Sequence, residues 1–189
     1  MAAYSFDDVS GSTVPDASGG GNHGTLNGAT PAHEGHFGAA LSFDGVDDFV
    51  AVADSTSLDL TDGMTLEAWV KPESLGRSWR TAVIKEQASE LSYALYAHTG
   101  GYGPSGHAFT GGDDERARST TPVEAGTWTH LAVTYDGRTI RLYRDGTQIE
   151  SRSAGGPIAT SSGELRIGGT QLWSEWFHGL IDEVRVYNR

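Results

Sequence analysis

Residues 128 to 151, "WTHLAVTYDGRTIRLYRDGTQIES", leave this chain little freedom in what it folds into. Three runs of alternating apolar and polar residues are separated by two Asp-Gly pairs, Asp136-Gly137 and Asp145-Gly146. Asp-Gly favours the positive φ angles of tight hairpin turns, so the segment predicts an antiparallel meander. The alternation sets Leu131, Val133 and Tyr135 along one face, as a sheet with one buried and one wet face requires. Elsewhere 26 glycines and 6 prolines interrupt the chain about every sixth residue, and no window of helical period is long enough for a helix. The expectation is a nearly all-β protein.

Further strands are expected at 40–43 (ALSF), 48–53 (DFVAVA), 64–71 (MTLEAWVK), 81–85 (TAVIK), 91–97 (LSYALYA) and 164–168 (ELRIG), with a last one in the closing stretch. So many short strands require two packed sheets or a barrel. The glycine-rich segments 18–24, 100–106 and 111–112 read as loops, and "TGGDDERARS" at 110–119 as a solvated edge strand or hairpin. At 189 residues we expect one domain over residues 1–189.

Charge narrows the partners. The 25 acids against 13 bases give a net charge of −12, and no cluster of Lys and Arg is present to neutralise a row of phosphates. Nucleic acid and anionic membrane surfaces are therefore poor partners. No apolar run reaches the roughly 18 residues of a membrane span, so no membrane insertion is expected. The opening "MAAYSFDD" lacks the pattern of a signal peptide, and the chain both starts and ends on strand-like segments. We expect a module whose neighbouring domains belong to a larger parent chain.

The closing stretch, "FHGLIDEVRVYNR" at 177–189, poses a puzzle. Strict alternation would place Leu180, Asp182, Val184 and Val186 on one face, leaving an acid in an apolar row.

"YSFDD", "DASGGGNHGTLNG", "FGAALSFDGVDDFVAV", "SLDLTDGMTLEAWVKP", "GTWTHLAVTYDGRTIRLYRDGTQ", "LRIGG" and "FHGLIDEVRVYNR" follow one another over nearly the whole chain. In this order they resemble the laminin-G-like domains of the concanavalin A-like lectin/glucanase superfamily. The resemblance implies an antiparallel two-sheet β-sandwich of jelly-roll type, with first and last strands paired. It also implies a secreted or cell-surface setting, glycan or cell-surface protein partners, and often one structural calcium ion. Fold alone does not settle function.

If the first and last strands are neighbours, Asp182 approaches the loop "PDASGGGNHG". Asp16, Asn22 and Asp182 with backbone oxygens are then the expected Ca2+ ligands, with Asp7 or Asp44 as a further carboxylate, since calcium takes six to eight oxygens. The plainer alternative is a solvated Asp182 or one paired with Arg185 or Arg166. "DGVDDFV" at 44–50 is also rich in acids, and reads more simply as a turn with Asp47 and Asp48 facing solvent.

For catalysis the residues are thin. No E-x-D-x-x-E strand of paired carboxylates is present, nor a nucleophile elbow, phosphate loop or zinc spacing. Arg80, Tyr93, Tyr96, His98 and His107 are the candidates for a lyase-like cluster, without the strand motifs of such lyases, so the chain is expected not to be an enzyme. Sugar binding combines an aromatic platform with a few polar groups. Trp69 and Trp128 lie in framework strands and read as packing residues. Trp79, Tyr102, Trp173 and Trp176, in or beside loops, with Arg80 and also Arg77, Glu175 and His178 as polar contacts, are the expected ligand-binding residues. The leading expectation is a non-catalytic carbohydrate-binding module for neutral glycans. The alternatives are a protein-interaction or adhesion module without a sugar site, and a polysaccharide lyase or glycoside hydrolase of the same fold.

Overall fold

A computed structural model describes residues 1–189. The strands in chain order are β1 (Ala2–Tyr4), β2 (Thr13–Val14), β3 (Gly24–Asn27), β4 (Thr30–Ala32), β5 (Ala40–Asp44), β6 (Phe49–Val52), β7 (Met64–Pro72), β8 (Arg80–Glu86) and β9 (Leu91–His98). They continue with β10 (Ser105–Thr110), β11 (Asp113–Arg118), β12 (Thr129–Tyr135), β13 (Thr139–Arg144), β14 (Thr147–Ser153), β15 (Leu165–Ile167), β16 (Gly169–Thr170), β17 (Glu175–Trp176) and β18 (His178–Tyr187).

Two 8-stranded antiparallel sheets contain nearly all of them. The first runs β14-β13-β12-β7-β18-β5-β4, with β1 also pairing β18; the second runs β11-β10-β9-β8-β15-β6-β3-β2. The expected all-β jelly-roll sandwich is what the chain forms, and its first and last strands pair, with Tyr4 opposite Val184. One apolar cluster of 36 buried residues draws on both sheets, which makes a single core.

The meander is β12-β13-β14. Asp145 and Gly146 both have positive φ, at 49° and 77°, as a tight two-residue turn with mirror-image geometry needs. At Asp136 the turn is longer. Only Gly137 is left-handed there, and the Asp136 carboxylate accepts the N–H groups of Arg138 and Thr139. Leu131, Val133 and Tyr135 face the core as expected. The acidic hairpin is β10-β11, turning at Gly111-Gly112, and β11 is the sheet edge.

A β-bulge in β18 removes the puzzle of an acid in an apolar row. The register against β7 shifts between Asp182 and Arg185, and Glu183 adopts a φ of 49°. One extra residue on the bulged strand moves every later side chain to the opposite face. Ile181, Val184 and Val186 therefore form the core row, while Asp182 stands outside it opposite Trp69.

The second sheet is covered on both faces where β8 and β9 lie. Every residue of β9 is buried. Alternate side chains Tyr93, Leu95 and Ala97 enter the main core, while Leu91, Ala94 and Tyr96 join Ile84 in a small outer cluster against Trp79. The β16-β17 hairpin is tied down beside it: the Thr170 hydroxyl donates to Glu86 at 2.6 Å, and Arg80 donates to the Trp176 carbonyl at 2.7 Å.

Candidate functional site

On the outer face of the second sheet, β8, β9, β10, β11 and the β16-β17 turn surround a cavity of about 320 Å³. Its walls are Trp79, Glu90, Leu91, Tyr96, His107, Asp114, Trp173 and Glu175. Alternation in β9 and β10 presents Tyr96 and His107 to it, and Ala94 pairs His107 across the two strands. Trp79 enters from the loop before β8, and Trp173, 40% exposed, from the turn between β16 and β17.

The polar side of the cavity is ordered. His107 Nε2 lies 2.8 Å from the Ser105 hydroxyl, and Nδ1 lies 2.9 and 3.0 Å from the two Asp114 oxygens. In the neutral tautomer that donates Nδ1–H to Asp114, Nε2 accepts from Ser105. The line looks like a nucleophile-base-acid relay, yet Ser105 is fully buried and so lacks access to a substrate. Glu175 differs from its neighbours. Burial pushes its carboxyl up to about 7, with only the Tyr96 hydroxyl pulling the other way. Its Oε2 is buried and has no hydrogen-bond partner.

Of the expected ligand-binding residues, the fold brings Trp79 and Trp173 to this cavity and directs the others elsewhere. Arg80 points to the Trp176 carbonyl, and Trp176 packs over Phe49 with ring centroids 6.1 Å apart. Tyr102 lies under the Arg118 guanidinium, 4.0 Å from its ring centre. Of the lyase-like set only Tyr96 and His107 meet at the cavity, while Arg80 and His98 pair with each other across β8 and β9. Tyr93 points into the core, where its hydroxyl donates to the Leu58 carbonyl, and His98 accepts from the Gly101 N–H. Glu175 is one of the polar contacts expected beside these aromatics, and Asp114 comes from the acidic hairpin; the chain path brings both to Trp79.

The expected metal ligands also separate. Ala3 of β1 pairs with Arg185 of β18 on one side, while its N–H donates to Asp16 Oδ1 on the other, so β1 stands between Asp16 and β18. Burial raises the Asp16 carboxyl, but the N–H donors of Ser18, Ala3 and Asn22 outweigh it and hold its pKa below the usual value. The Asn22 side chain is committed to the Met1 carbonyl and the Ser57 hydroxyl. The set Asp16, Asn22 and Asp182 therefore does not converge. Asp182 instead receives the N–H groups of Phe37 at 2.9 Å and Glu183 at 2.7 Å. It is fully buried and burial raises its pKa, with no basic side chain in ion-pair contact. Asp7 reaches the same loop, accepting the Ala39 N–H at 2.7 Å.

Asp44 belongs to a separate turn. It accepts the N–H of Val46 and, with Asp47 and Asp48, forms a group whose ligand atoms lie within 4.8 Å of one another. Asp47 faces solvent, but Asp48 does not: it is buried, and its carboxylate accepts the Asp44 N–H at 2.8 Å.

On the outer face of the first sheet, the same 36–39 loop folds over Trp69. His36 stacks on Trp69 at 3.5 Å between ring centroids, and Trp128 and His130 adjoin them. Trp69 and Trp128 thus pack on the outside of their sheet, half-buried, and not in the core. Phe37, 56% exposed, caps the group. His130 and Arg185 converge on Glu67, at 3.5 and 3.4 Å, and the His130 contact leads in holding its pKa low.

Two antiparallel sheets packed face to face around one core, with β1 and β18 paired, define a concanavalin A-like jelly roll. The chain belongs to the Laminin_G_3 family of the concanavalin A-like lectin/glucanases superfamily, whose family model matches residues 44–189. A mouse relative, Pappalysin-1 of Mus musculus, is 30% identical over a 148-residue alignment that takes in 67% of this chain and 9% of that much longer protein. Among solved structures, domain 4 of AbnA, a GH43 extracellular arabinanase from Geobacillus stearothermophilus in complex with arabinotriose, superposes with a TM-score of 0.81 at 24% identity, over 98% of this chain and 90% of that one. The binding domain of Paraclostridial Mosquitocidal Protein 1 gives 0.77 at 13% identity, over 100% and 48%. The sialidase of Trypanosoma rangeli in complex with sialic acid gives 0.71 at 16% identity, over 100% and 30%. At these identities the likeness to solved structures is one of fold.

Proposed function

We propose that the chain is a non-catalytic carbohydrate-binding module of a larger secreted or cell-surface protein. The observation that carries this reading is the pairing of Trp79 and Trp173 at one cavity with ordered carboxylates and His107. Ring faces cover the apolar face of a pyranose or furanose, while fixed polar groups accept its hydroxyls. The acids of the cavity disfavour sulfated and uronic-acid polymers, which leaves glycans without acidic groups. The arabinotriose bound to the arabinanase domain makes arabino-oligosaccharides a sensible part of the first panel.

The test is binding to a panel of soluble and insoluble glycans, with and without a calcium chelator, and with product analysis of each sample. Selective binding that Trp173→Ala weakens by roughly tenfold or more supports the reading. Glycan cleavage, or binding indifferent to both Trp79→Ala and Trp173→Ala, counts against it.

A structural calcium is part of the same proposal. Asp182 fits one best, being a buried carboxylate without a cationic partner, and Asp7 shares its loop. Calcium there would supply charge compensation and tie residues 36–39 to β18. The second reading, a protein-interaction surface, is favoured by the exposed Phe37 on the His36, Trp69 and Trp128 cluster.

A further inference from the structure

The cavity is a corner, and this distinguishes it from a flat sugar platform. The Trp79 and Tyr96 rings stand at 85° with centroids 5.1 Å apart, and Tyr96 and His107 at 66° and 5.0 Å. Adjoining aromatic walls suit a compact cation, because the electron-rich ring faces attract an ammonium from more than one side. The charged groups agree. Glu90, Asp114 and Glu175 line the cavity, and neither Lys nor Arg does. Asp114 is taken up by His107, and Glu90 lies exposed at the rim. The buried Oε2 of Glu175 accepts no hydrogen bond, and the Tyr96 hydroxyl is the one protein donor acting on this carboxyl, which is costly unless a ligand supplies another.

We propose that this cavity takes a glycan bearing a free amino group, its ammonium seated in the corner formed by the Trp79 and Tyr96 rings and donating to Glu175. The inference rests on the carbohydrate-binding reading and names the class of sugar. The net charge of −12 assists by drawing cationic ligands toward the surface.

The experiment is calorimetric titration of the full chain with three probes of equal length: glucosamine, N-acetylglucosamine and glucose oligomers. The glucosamine oligomer is expected to bind about tenfold tighter or more than the other two, as a charge-assisted contact between aromatic faces implies. Glu175→Gln is expected to remove most of that preference, and Glu90→Gln, at an exposed position, to reduce it by a few-fold. Equal affinities for the three probes overturn the ammonium assignment and leave the carbohydrate reading intact. A preference that survives both substitutions also overturns it, since attraction by overall charge then explains the binding. Failure to bind any glycan, in this series or in the wider panel, overturns both.

Discussion

Glu175 makes the cavity's electrostatics measurable without a ligand. Its carboxyl is pushed from an ordinary 4.5 up to about 7 by burial. At roughly 1.4 kcal/mol per tenfold change in acidity, keeping this carboxylate ionised in the fold costs about 3 kcal/mol, or about 2 kcal/mol once its partial solvent access is allowed for. The sign follows from where the proton binds more tightly. The folded chain holds it up to about pH 7 and the unfolded chain only to about pH 4.5, so stability is highest below about pH 4.5 on this account and falls as pH rises through that window. Glu175→Gln removes the ionisation. The variant is expected to match the parent at about pH 4 and to exceed it by about 2 kcal/mol at about pH 8.5, read from urea denaturation followed by tryptophan fluorescence. A difference that does not change with pH, or a variant less stable at about pH 8.5, refutes the reasoning.

Other consequences are simpler to read. Asp182→Ala leaves the N–H groups of Phe37 and Glu183 without their acceptor, and should cost about 1–3 kcal/mol of stability in calcium-free buffer. If Asp182 holds calcium, added Ca2+ raises the melting temperature of the parent and not of the variant. Gly106→Ala would place a Cβ 2.2 Å from Val133 Cγ2, so the sandwich must spread and lose about 1–3 kcal/mol, seen as a lower denaturation midpoint at unchanged slope. Phe177→Ala, which empties a fully buried ring site against Phe43, should cost about 3–5 kcal/mol by the same measurement.

The sandwich was legible because its signals are local. Period-two alternation and the Asp-Gly pairs put β12, β13 and β14 within a residue or two of their observed positions, and the buried row Leu131, Val133 and Tyr135 follows from that period alone. The bulge at Asp182-Glu183 was not legible. It depends on Glu183 accepting a left-handed φ while Asp182 is held by Phe37, 145 residues distant in sequence. Long-range pairing likewise separates Asp16 from Asp182, since β1 lies between them and nothing in either segment announces its edge. The cavity was half legible. An aromatic in a polar loop draws notice, which points to Trp79 and Trp173 with Glu175 nearby, whereas the contacts of Asp114 with His107 and of Glu175 with Tyr96 depend on how distant strands are brought together.

The most direct measurement uses the 5 tryptophans as reporters. Each indole Nε1–H gives a separate NMR signal, assignable by single substitution, and these are followed while a glycan that scores in the panel is titrated into the protein. If the cavity on the second sheet is the binding site, the Trp79 and Trp173 signals shift together along one saturating curve while Trp69 and Trp128, on the opposite sheet, stay in place. Shifts confined to Trp69 and Trp128 would move the site to the Phe37 surface and contradict the account.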